Sequence, residues 1–296
     1  MARAALVATL GAIGALMLAP SGAMAIDCEL DIGSSSEGDD AGAILGGGSS
    51  WWETTDDGAI DEAGLFKPGG GLTRGDAYDE YASINIDAAS YNNPDADDDG
   101  CTRTDGGRGL RYPTDELTPD VFITPELYFA KNRAMGRTLL KIRNAGAAAI
   151  EVDLLSDGDL GADDAANVDK SSSGNATANE SDVWATSCED PDSDGCANVA
   201  GEQLRDPELA HIWERKGAKR ESADIVTLAD GAGNFDVGFN DVTIGAGKTV
   251  SLMLIGTLHP KLKPARKAAA QIAKNPEDNG VFAGLSRQEQ RQILNW

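Results

Sequence analysis

Short runs of alternating apolar and polar residues, separated by turns rich in Gly, Asn and Asp, fill the middle of this chain. Ile150, Val152 and Leu154 alternate with acidic residues, which is the pattern of a strand with one buried face. Residues 248–258 are apolar on both faces, so we predict a central strand covered on both sides. Because no helical pattern lies between these strands, the sequence favours an all-β antiparallel β-sandwich over any α/β fold.

Two features predict how particular strands are placed. Residues 138–143, the turn Asn144-Ala145-Gly146 and residues 147–155 predict a β-hairpin. Pro125 falls inside the candidate strand 121–129 and has no N–H to donate. We therefore expect this strand to lie at a sheet edge or to carry a bulge.

The C-terminal region, residues 259–296, is helical in pattern. Residues 264–274 are rich in Ala and Lys, with Pro264 in the first turn of the predicted helix. Ser286 and Glu289 have the spacing of a capping box, which predicts the start of a second helix. We expect these helices to pack on the sandwich; an exposed helix that binds a partner is the alternative.

The first 25 residues have the pattern of a cleavable signal peptide, with Arg3, an apolar stretch and a small-residue motif ending at Ala25. The apolar stretch is shorter than the roughly 20 residues of a membrane-spanning helix. A lipoprotein attached through Cys28 is disfavoured, because Asp27 stands where a small residue is needed. We predict a secreted or periplasmic protein with three regions: the signal peptide 1–25, a sandwich domain 26–258 and a helical segment 259–296.

An even number of cysteines in an exported chain predicts disulfides. The four are Cys28, Cys101, Cys188 and Cys196, which allow three pairings. We favour 188–196, which closes a short acidic loop, together with 28–101. Unpaired buried thiols are the alternative.

The chain is strongly acidic, with 49 Asp and Glu against 25 Lys and Arg and a formal net charge of −24. Non-specific binding to nucleic acid or to an anionic membrane needs a positive surface, so the sequence argues against both partners and against membrane insertion. Most of the acids lie before residue 200, in stretches that read as loops. They predict either a solvated acidic coat or loops that bind cations.

Six short segments follow one another along residues 60–296. They are Asp76-Ala77-Tyr78-Asp79, the Asn144-x-Gly146 hairpin, Leu160-Gly161-x-Asp163, Ser172-Ser173-Gly174-Asn175, Asp182-Val183-Trp184, and Gly284-Leu285-Ser286-x-x-Glu289 with Asn295-Trp296. In this order they resemble secreted bacterial β-sandwich modules of unknown function. The resemblance implies export and a sandwich architecture, and it carries over no catalytic residue.

The motif D-x-D-x-D-G-C occurs twice and is the one pattern with ligand chemistry. Alternate carboxylates before a Gly turn can fold around a hard cation such as calcium. Neither copy has the Glu that ends an EF-hand loop, although Asp105 and Glu202 lie one residue from that position. The predicted metal ligands are Asp95, Asp97, Asp99 and Asp105 in the first loop and Asp190, Asp192, Asp194 and Glu202 in the second. Solvated acidic turns are the alternative.

Other candidate residues carry weaker signals. Trp51 and Trp52 could present a ring to a sugar, although core packing is an alternative for both. His211 and His259 have no second ligand at metal spacing, so we expect structural roles for them. No nucleophile–base pattern appears, and we assign no catalytic residue.

Together these features predict an exported, non-catalytic β-sandwich protein. Its expected role is structural or interactive at the cell surface or in the periplasm, with an unidentified protein or glycan as partner and calcium ordering the loops. A carbohydrate-binding module and, less favoured, a glycoside-active enzyme are the alternatives.

Overall fold

The computed structural model describes residues 26, 28, 30–32, 50–66, 72–94, 100–160, 166–189, 196, 206–218, 220–228 and 233–296. The predicted signal peptide lies outside the described residues. Within them the chain forms two large sheets and two short C-terminal helices. All described strand pairs are antiparallel, which confirms the predicted β-sandwich with a C-terminal helical segment.

Sheet 1 has the strand order β1-β2-β3-β5-β12-β17-β16, with β4 paired to β3 and β6 paired to β5. Its strands are β1 (Leu30–Ile32), β2 (Ser50–Thr54), β3 (Ile60–Phe66), β4 (Leu72–Ala77), β5 (Asp79–Ile86), β6 (Ala89–Ser90), β12 (Ile150–Asp159), β16 (Ile225–Leu228) and β17 (Asn234–Ile244).

Sheet 2 has the order β13-β14-β15-β18-β11-β10-β8-β7, with β9 paired to β10. Its strands are β7 (Thr102–Thr104), β8 (Gly109–Arg111), β9 (Asp115–Thr118), β10 (Val121–Phe129), β11 (Met135–Asn144), β13 (Ala166–Ser171), β14 (Trp184–Glu189), β15 (Glu208–Ile212) and β18 (Thr249–His259). The helices are α1 (Leu262–Lys274) and α2 (Arg287–Gln292).

The sheets face each other across a hydrophobic core. Ile84, Leu154 and Val237 point inward from sheet 1 and meet Leu140 and Leu252 of sheet 2. Full burial of one such side chain contributes about 2 kcal/mol to folding. Alternate residues of the same strands face outward, which explains the alternating sequence pattern.

The predicted hairpin of residues 138–155 is wrong. β11 pairs with β10 and β18 in sheet 2, whereas β12 pairs with β5 and β17 in sheet 1. The turn after Asn144 therefore crosses from one sheet to the other. An alternating pattern identifies two half-buried strands but does not say that they pair with each other.

A second crossing lies beside the first. β17 ends at Ile244 in sheet 1, and β18 begins at Thr249 in sheet 2. The fully buried side chain of Asn144 joins the two crossings: its Nδ2 donates to the carbonyl oxygens of Ala148 at 2.8 Å and Ile244 at 2.9 Å. Its Oδ1 accepts the N–H of Gly146 at 2.8 Å. One amide group thus pairs backbone groups of both crossings.

Pro125 lies in an interior strand rather than at an edge. β10 has β11 on one side and both β8 and β9 on the other. The residues of β10 that pair with β9 end at Ile123, and those that pair with β8 begin at Glu126. Pro125 stands between the two partners, where the missing N–H interrupts no ladder hydrogen bond.

The predicted central strand is confirmed in β18, which is buried on both faces along nearly its whole length. One face enters the core of the sandwich. On the other face Met253 and Ile255 pack against Ala265, Ala269 and Ile272 of α1. Helix α1 therefore covers the outer face of sheet 2.

The chain after α1 is held by two cations on the outer face of β11. Arg137 is buried and donates to the carbonyl oxygens of Val281 at 2.7 Å and Ala283 at 2.8 Å. Lys141 forms ion pairs with Glu126 at 2.8 Å and Glu289 at 2.6 Å. Burial lowers the pKa of Arg137 to about 10, so the group stays charged at neutral pH.

The predicted capping box is present. The hydroxyl of Ser286 accepts the N–H of Glu289, and the Glu289 carboxylate accepts the N–H of Ser286. Burial raises the pKa of Glu289, but hydrogen bonds from Lys141 and Ser286 outweigh this and bring the pKa down to about 2.

Both favoured disulfides, Cys28–Cys101 and Cys188–Cys196, are formed. They indicate an oxidising extracellular or periplasmic environment. Among the described residues, no helix is long and apolar enough to cross a membrane.

We expect Asn144→Ala to destabilise the protein by about 3 kcal/mol, because the change removes three side-chain hydrogen bonds at a buried position. Urea unfolding measures the loss. Asn240→Ala is the matched control, since Asn240 is an exposed residue of β17. Equal losses in the two variants would contradict the role of Asn144.

We expect Glu289→Gln to lower the melting temperature in a pH-dependent way. The folded pKa of Glu289 is about 2, below its unfolded value, so its stabilisation is present above about pH 4.5 and is lost as the pH falls towards 2. Melting curves of both proteins at pH 7 and pH 2.5 test this. Glu277→Gln, which breaks an exposed pair with Arg215, should have little effect at either pH. A difference that persisted unchanged at pH 2.5 would refute the assignment.

Candidate functional site

Most of the predicted calcium ligands fall outside the described residues. These are Asp95, Asp97, Asp99, Asp190, Asp192, Asp194 and Glu202. Asp105 is described, and its carboxylate lies against Gly284 and acts on the charge of Arg137. In the described part of the chain, no three His, Cys, Asp or Glu residues are grouped as a metal site.

The two predicted sugar-stacking residues lie inside the fold. Trp52 is 1% exposed and packs against Tyr78 and Phe129. Trp51 is 9% exposed. In this structure neither indole offers an open face to a ligand.

The two histidines have the buried surroundings expected of structural residues. His211 is fully buried between aromatic rings, with Nε2 2.9 Å from the hydroxyl of Ser187. Burial lowers the pKa of His211 to about 3 and that of His259 to about 4. Both imidazoles are therefore neutral at physiological pH.

A cleft of about 590 Å³ opens beside the C-terminal end of α1. Its walls are the loop between β13 and β14, the segment after β15 and the last turns of α1. The residues that give it chemical character are Trp184, Glu214, Lys216 and Lys274, together with Ser172, Ser173, Ser181 and Ser222. The volume is within the usual range for small-molecule sites.

The carboxylate of Asp182 organises the first wall. It is fully buried, and its Oδ1 accepts the hydroxyl of Ser172 at 2.8 Å and the N–H of Ser173 at 2.6 Å. Its Oδ2 accepts the N–H of Asn179 at 3.3 Å. Trp213 donates its indole N–H to the backbone oxygen of Asp182 at 2.7 Å, which ties this wall to the second one.

Glu214 stands at the start of the second wall and is 6% exposed. Its Oε2 accepts the N–H of Ala223 at 3.1 Å. Burial raises its pKa, an effect that hydrogen bonds from Ala223 and Ser222 only partly oppose. A carboxyl with a raised pKa in a cleft is suited to give and take a proton.

The remaining groups give the cleft one aromatic surface and two cations. Trp184, at the start of β14, is half-buried: it packs against the hydrophobic cluster under α1 and is one of the residues that line the cleft. Lys216 and Lys274 are exposed at the rim. The backbone N–H of Lys216 donates to the carbonyl oxygen of Ala273 at 2.9 Å, so the second wall is fastened to the end of α1.

A second polar pocket, of about 230 Å³, lies on sheet 1. Asp57, Glu80 and Asp157 line it, and burial together with the facing Asp236 raises the pKa of Asp157. Its aromatic residue, Tyr91, is buried and donates to the backbone of Pro113. The pocket is smaller than the Glu214 cleft and has no open aromatic face, so the Glu214 cleft is the better candidate.

Sequence reasoning missed Glu214. The local sequence Trp213-Glu214-Arg215-Lys216 shows a carboxyl beside basic residues, but not that the carboxyl is buried. That burial follows from the contact with Ala223 and from the packing of the segment against α1.

We expect Asp182→Ala to destabilise the protein by at least about 2 kcal/mol, because the change removes three hydrogen bonds to a buried carboxylate. It should also speed proteolytic cutting within residues 172–181, since the loop loses its anchor. Glu180→Ala, at an exposed position in the same loop, is the control. If the two variants unfolded and were cut alike, Asp182 would not organise this wall.

No protein-family model matches the chain, and no curated protein matches it. Solved structures with a similar fold do exist. A candidate aldose 1-epimerase from Klebsiella pneumoniae is 8% identical, with 76% of this chain and 82% of that chain covered and a TM-score of 0.42. A galactose mutarotase-like protein from Lactobacillus casei is 10% identical, with 78% and 100% covered and a TM-score of 0.42.

A candidate kojibiose phosphorylase from the human microbiome is 10% identical and has a TM-score of 0.43; 86% of this chain but only 37% of that chain is covered. These identities and scores describe a likeness of fold, and we transfer no residue or substrate from it. One expectation is corrected at this point. The sequence predicts a non-catalytic structural or interaction protein, whereas these similar structures are named for carbohydrate-active enzymes, so that prediction is not carried further.

Proposed function

We propose that this protein is a carbohydrate-active enzyme and that Glu214 exchanges a proton with the bound sugar. The observation that carries the proposal is the position of Glu214, a buried carboxyl with a raised pKa that lines a cleft of about 590 Å³ together with the half-buried Trp184. A buried acid–base group, an aromatic surface and several hydroxyls together suit a sugar better than an apolar ligand.

The groups around Glu214 support binding of a polar ring. The C–H face of a sugar can pack on the half-buried ring of Trp184. Ser172, Ser173, Ser181 and Ser222 offer hydroxyl oxygens to the sugar hydroxyls. Because the Asp182 carboxylate fixes Ser172 and Ser173, these two residues are already in place before a ligand arrives.

Glu214 is the single carboxylate among the described residues that line the cleft. Glycoside hydrolysis ordinarily needs two carboxyl groups on opposite sides of the scissile bond. One carboxyl that alternates between its acid and base forms is enough for proton transfer at a sugar oxygen or carbon. We therefore favour a proton-transfer reaction on the sugar over hydrolysis.

Calcium binding by the two D-x-D-x-D-G-C loops stays a prediction, separate from the Glu214 cleft. It concerns the stability of the loops and does not enter the proton-transfer step.

The test is to incubate the protein with a broad panel of mono- and oligosaccharides and to monitor their turnover by NMR. We expect Glu214→Gln to lower the rate at least about 100-fold, because a general acid–base group contributes that much or more. Glu221→Gln is the matched control: Glu221 also has a raised pKa caused by burial, but it does not line the cleft. Its rate should stay within about twofold of that of the unaltered protein.

The pH dependence gives a second readout. If Glu214 acts as the acid, the rate falls as the pH rises through its raised pKa; if it acts as the base, the rate rises there. In either case the inflection should vanish in Glu214→Gln. Unchanged turnover in Glu214→Gln, or no turnover of any sugar by the folded unaltered protein, would reject the proposed function.

A further inference from the structure

The segment that forms the second wall of the cleft is basic, although the protein as a whole is acidic. Residues 215–220 contain Arg215, Lys216, Lys219 and Arg220 and no acid, whereas the whole chain has a net charge of −24. Residues 259–296, which supply α1, are also net positive, with seven Lys and Arg against three acids. The cleft therefore lies in the basic part of an acidic chain, where anions are least repelled.

The arginines around the cleft are already engaged. Arg215 forms an ion pair with Glu277 at 3.1 Å. Arg220 donates to the backbone oxygen of Arg291 at 2.7 Å. Further along α1, Arg266 forms an ion pair with Asp169. The charges of these arginines are therefore already matched by other groups of the protein.

Lys216 and Lys274 differ from these arginines. Both line the cleft, and within the described part of the chain neither ammonium group forms an ion pair. The C-terminal end of α1 alone would favour a cation at Lys274, but it does not account for Lys216, which stands on the opposite wall. The contact of the Lys216 N–H with the carbonyl oxygen of Ala273, next to Lys274 in the chain, keeps the two walls together.

The charge of Glu214 does not cancel these cations. A carboxylate carries one negative charge, and Glu214 is the single carboxyl among the described lining residues. Among its described lining residues, the cleft therefore carries two positive charges and at most one negative charge. It is a positive spot on a strongly negative molecule, and such a spot concentrates anionic ligands.

Resting on the proposed function, we infer that the sugar bound at the Glu214 cleft is anionic and carries a carboxylate or a sulfate group. Lys216 and Lys274 pair with that group, while Trp184 packs on the ring and Glu214 faces the reacting atoms. The ammonium groups thereby fix the orientation of the sugar relative to Glu214.

The test is isothermal titration calorimetry with matched trisaccharides in low salt. The probes are trigalacturonic acid, its fully methyl-esterified form, and a sulfated and an unsulfated galactose trisaccharide. We expect the unaltered protein to bind one of the two charged probes at least tenfold more tightly than its uncharged match. The preferred charged probe distinguishes a carboxylate from a sulfate ligand.

The double variant Lys216→Gln/Lys274→Gln should lose this preference. Its control is Lys263→Gln/Lys267→Gln, which makes the same change in net charge at exposed positions of α1 outside the cleft. Thermal melting verifies that all variants are folded. The inference is overturned if the charged and uncharged probes bind equally, if neither charged probe binds at millimolar concentration, or if the control variant loses as much affinity as the cleft variant.

The outcomes separate this inference from the proposed function. Loss of turnover in Glu214→Gln together with equal binding of charged and neutral sugars would retain the enzyme and reject the anionic substrate. Lysine-dependent binding of a charged sugar together with unchanged turnover in Glu214→Gln would retain the anionic ligand and reject Glu214 as the acid–base group.

Discussion

The buried amide of Asn144 connects the two places where the chain passes from one sheet to the other. Each crossing must leave the hydrogen-bonding ladder of one strand before it enters that of the next, which exposes backbone groups at the rim of a hydrophobic core. Asn144 supplies two donors and one acceptor to those groups, and its own N–H donates to the carbonyl oxygen of Lys248 at 3.0 Å. The relative position of the two sheets, and so of everything built on them, depends on this pairing.

The outer face of sheet 2 carries the contacts that hold α1 and the chain after it. On β11 the outward residues alternate between apolar side chains that meet α1, such as Leu139, and the cations Arg137 and Lys141, which hold the chain after α1. Removing these cations from water is unfavourable unless each finds several partners. Arg137 finds two carbonyl oxygens and the ring of Tyr128, 4.6 Å from its guanidinium carbon. The C-terminal segment, and with it the last turns of α1 at the cleft, is thereby fixed on the sheet.

A motif within a few consecutive residues could be predicted from the sequence, whereas the pairing of strands that are distant in the chain could not. The capping box of Ser286 and Glu289 depends on four consecutive residues, so its spacing was enough to predict it. The alternation around Val152 predicted a strand with one buried face, but a strand edge accepts any compatible partner, and the hairpin with residues 138–143 was wrong. Glu214 was not predicted, because its burial depends on how the chain folds back at Ala223 and packs against the end of α1, which the local sequence does not show. The acid-rich loops carry the one motif with ligand chemistry, whereas the best candidate site lies in a basic segment.

The two crossings also have a consequence for how the chain acquires its structure. Because β11 and β12 enter different sheets, β12 must wait for β5 and β17. β11 pairs with its neighbour β10 but must wait for the distant β18 on its other side. Neither sheet can be completed until most of the polypeptide has been synthesised, since both β17 and β18 come after residue 230. A topology dominated by such long-range pairings folds slowly, because the entropy of closing large loops is lost before the compensating contacts form. A newly made chain would therefore stay unfolded for longer than a chain of the same length whose strands pair with their neighbours.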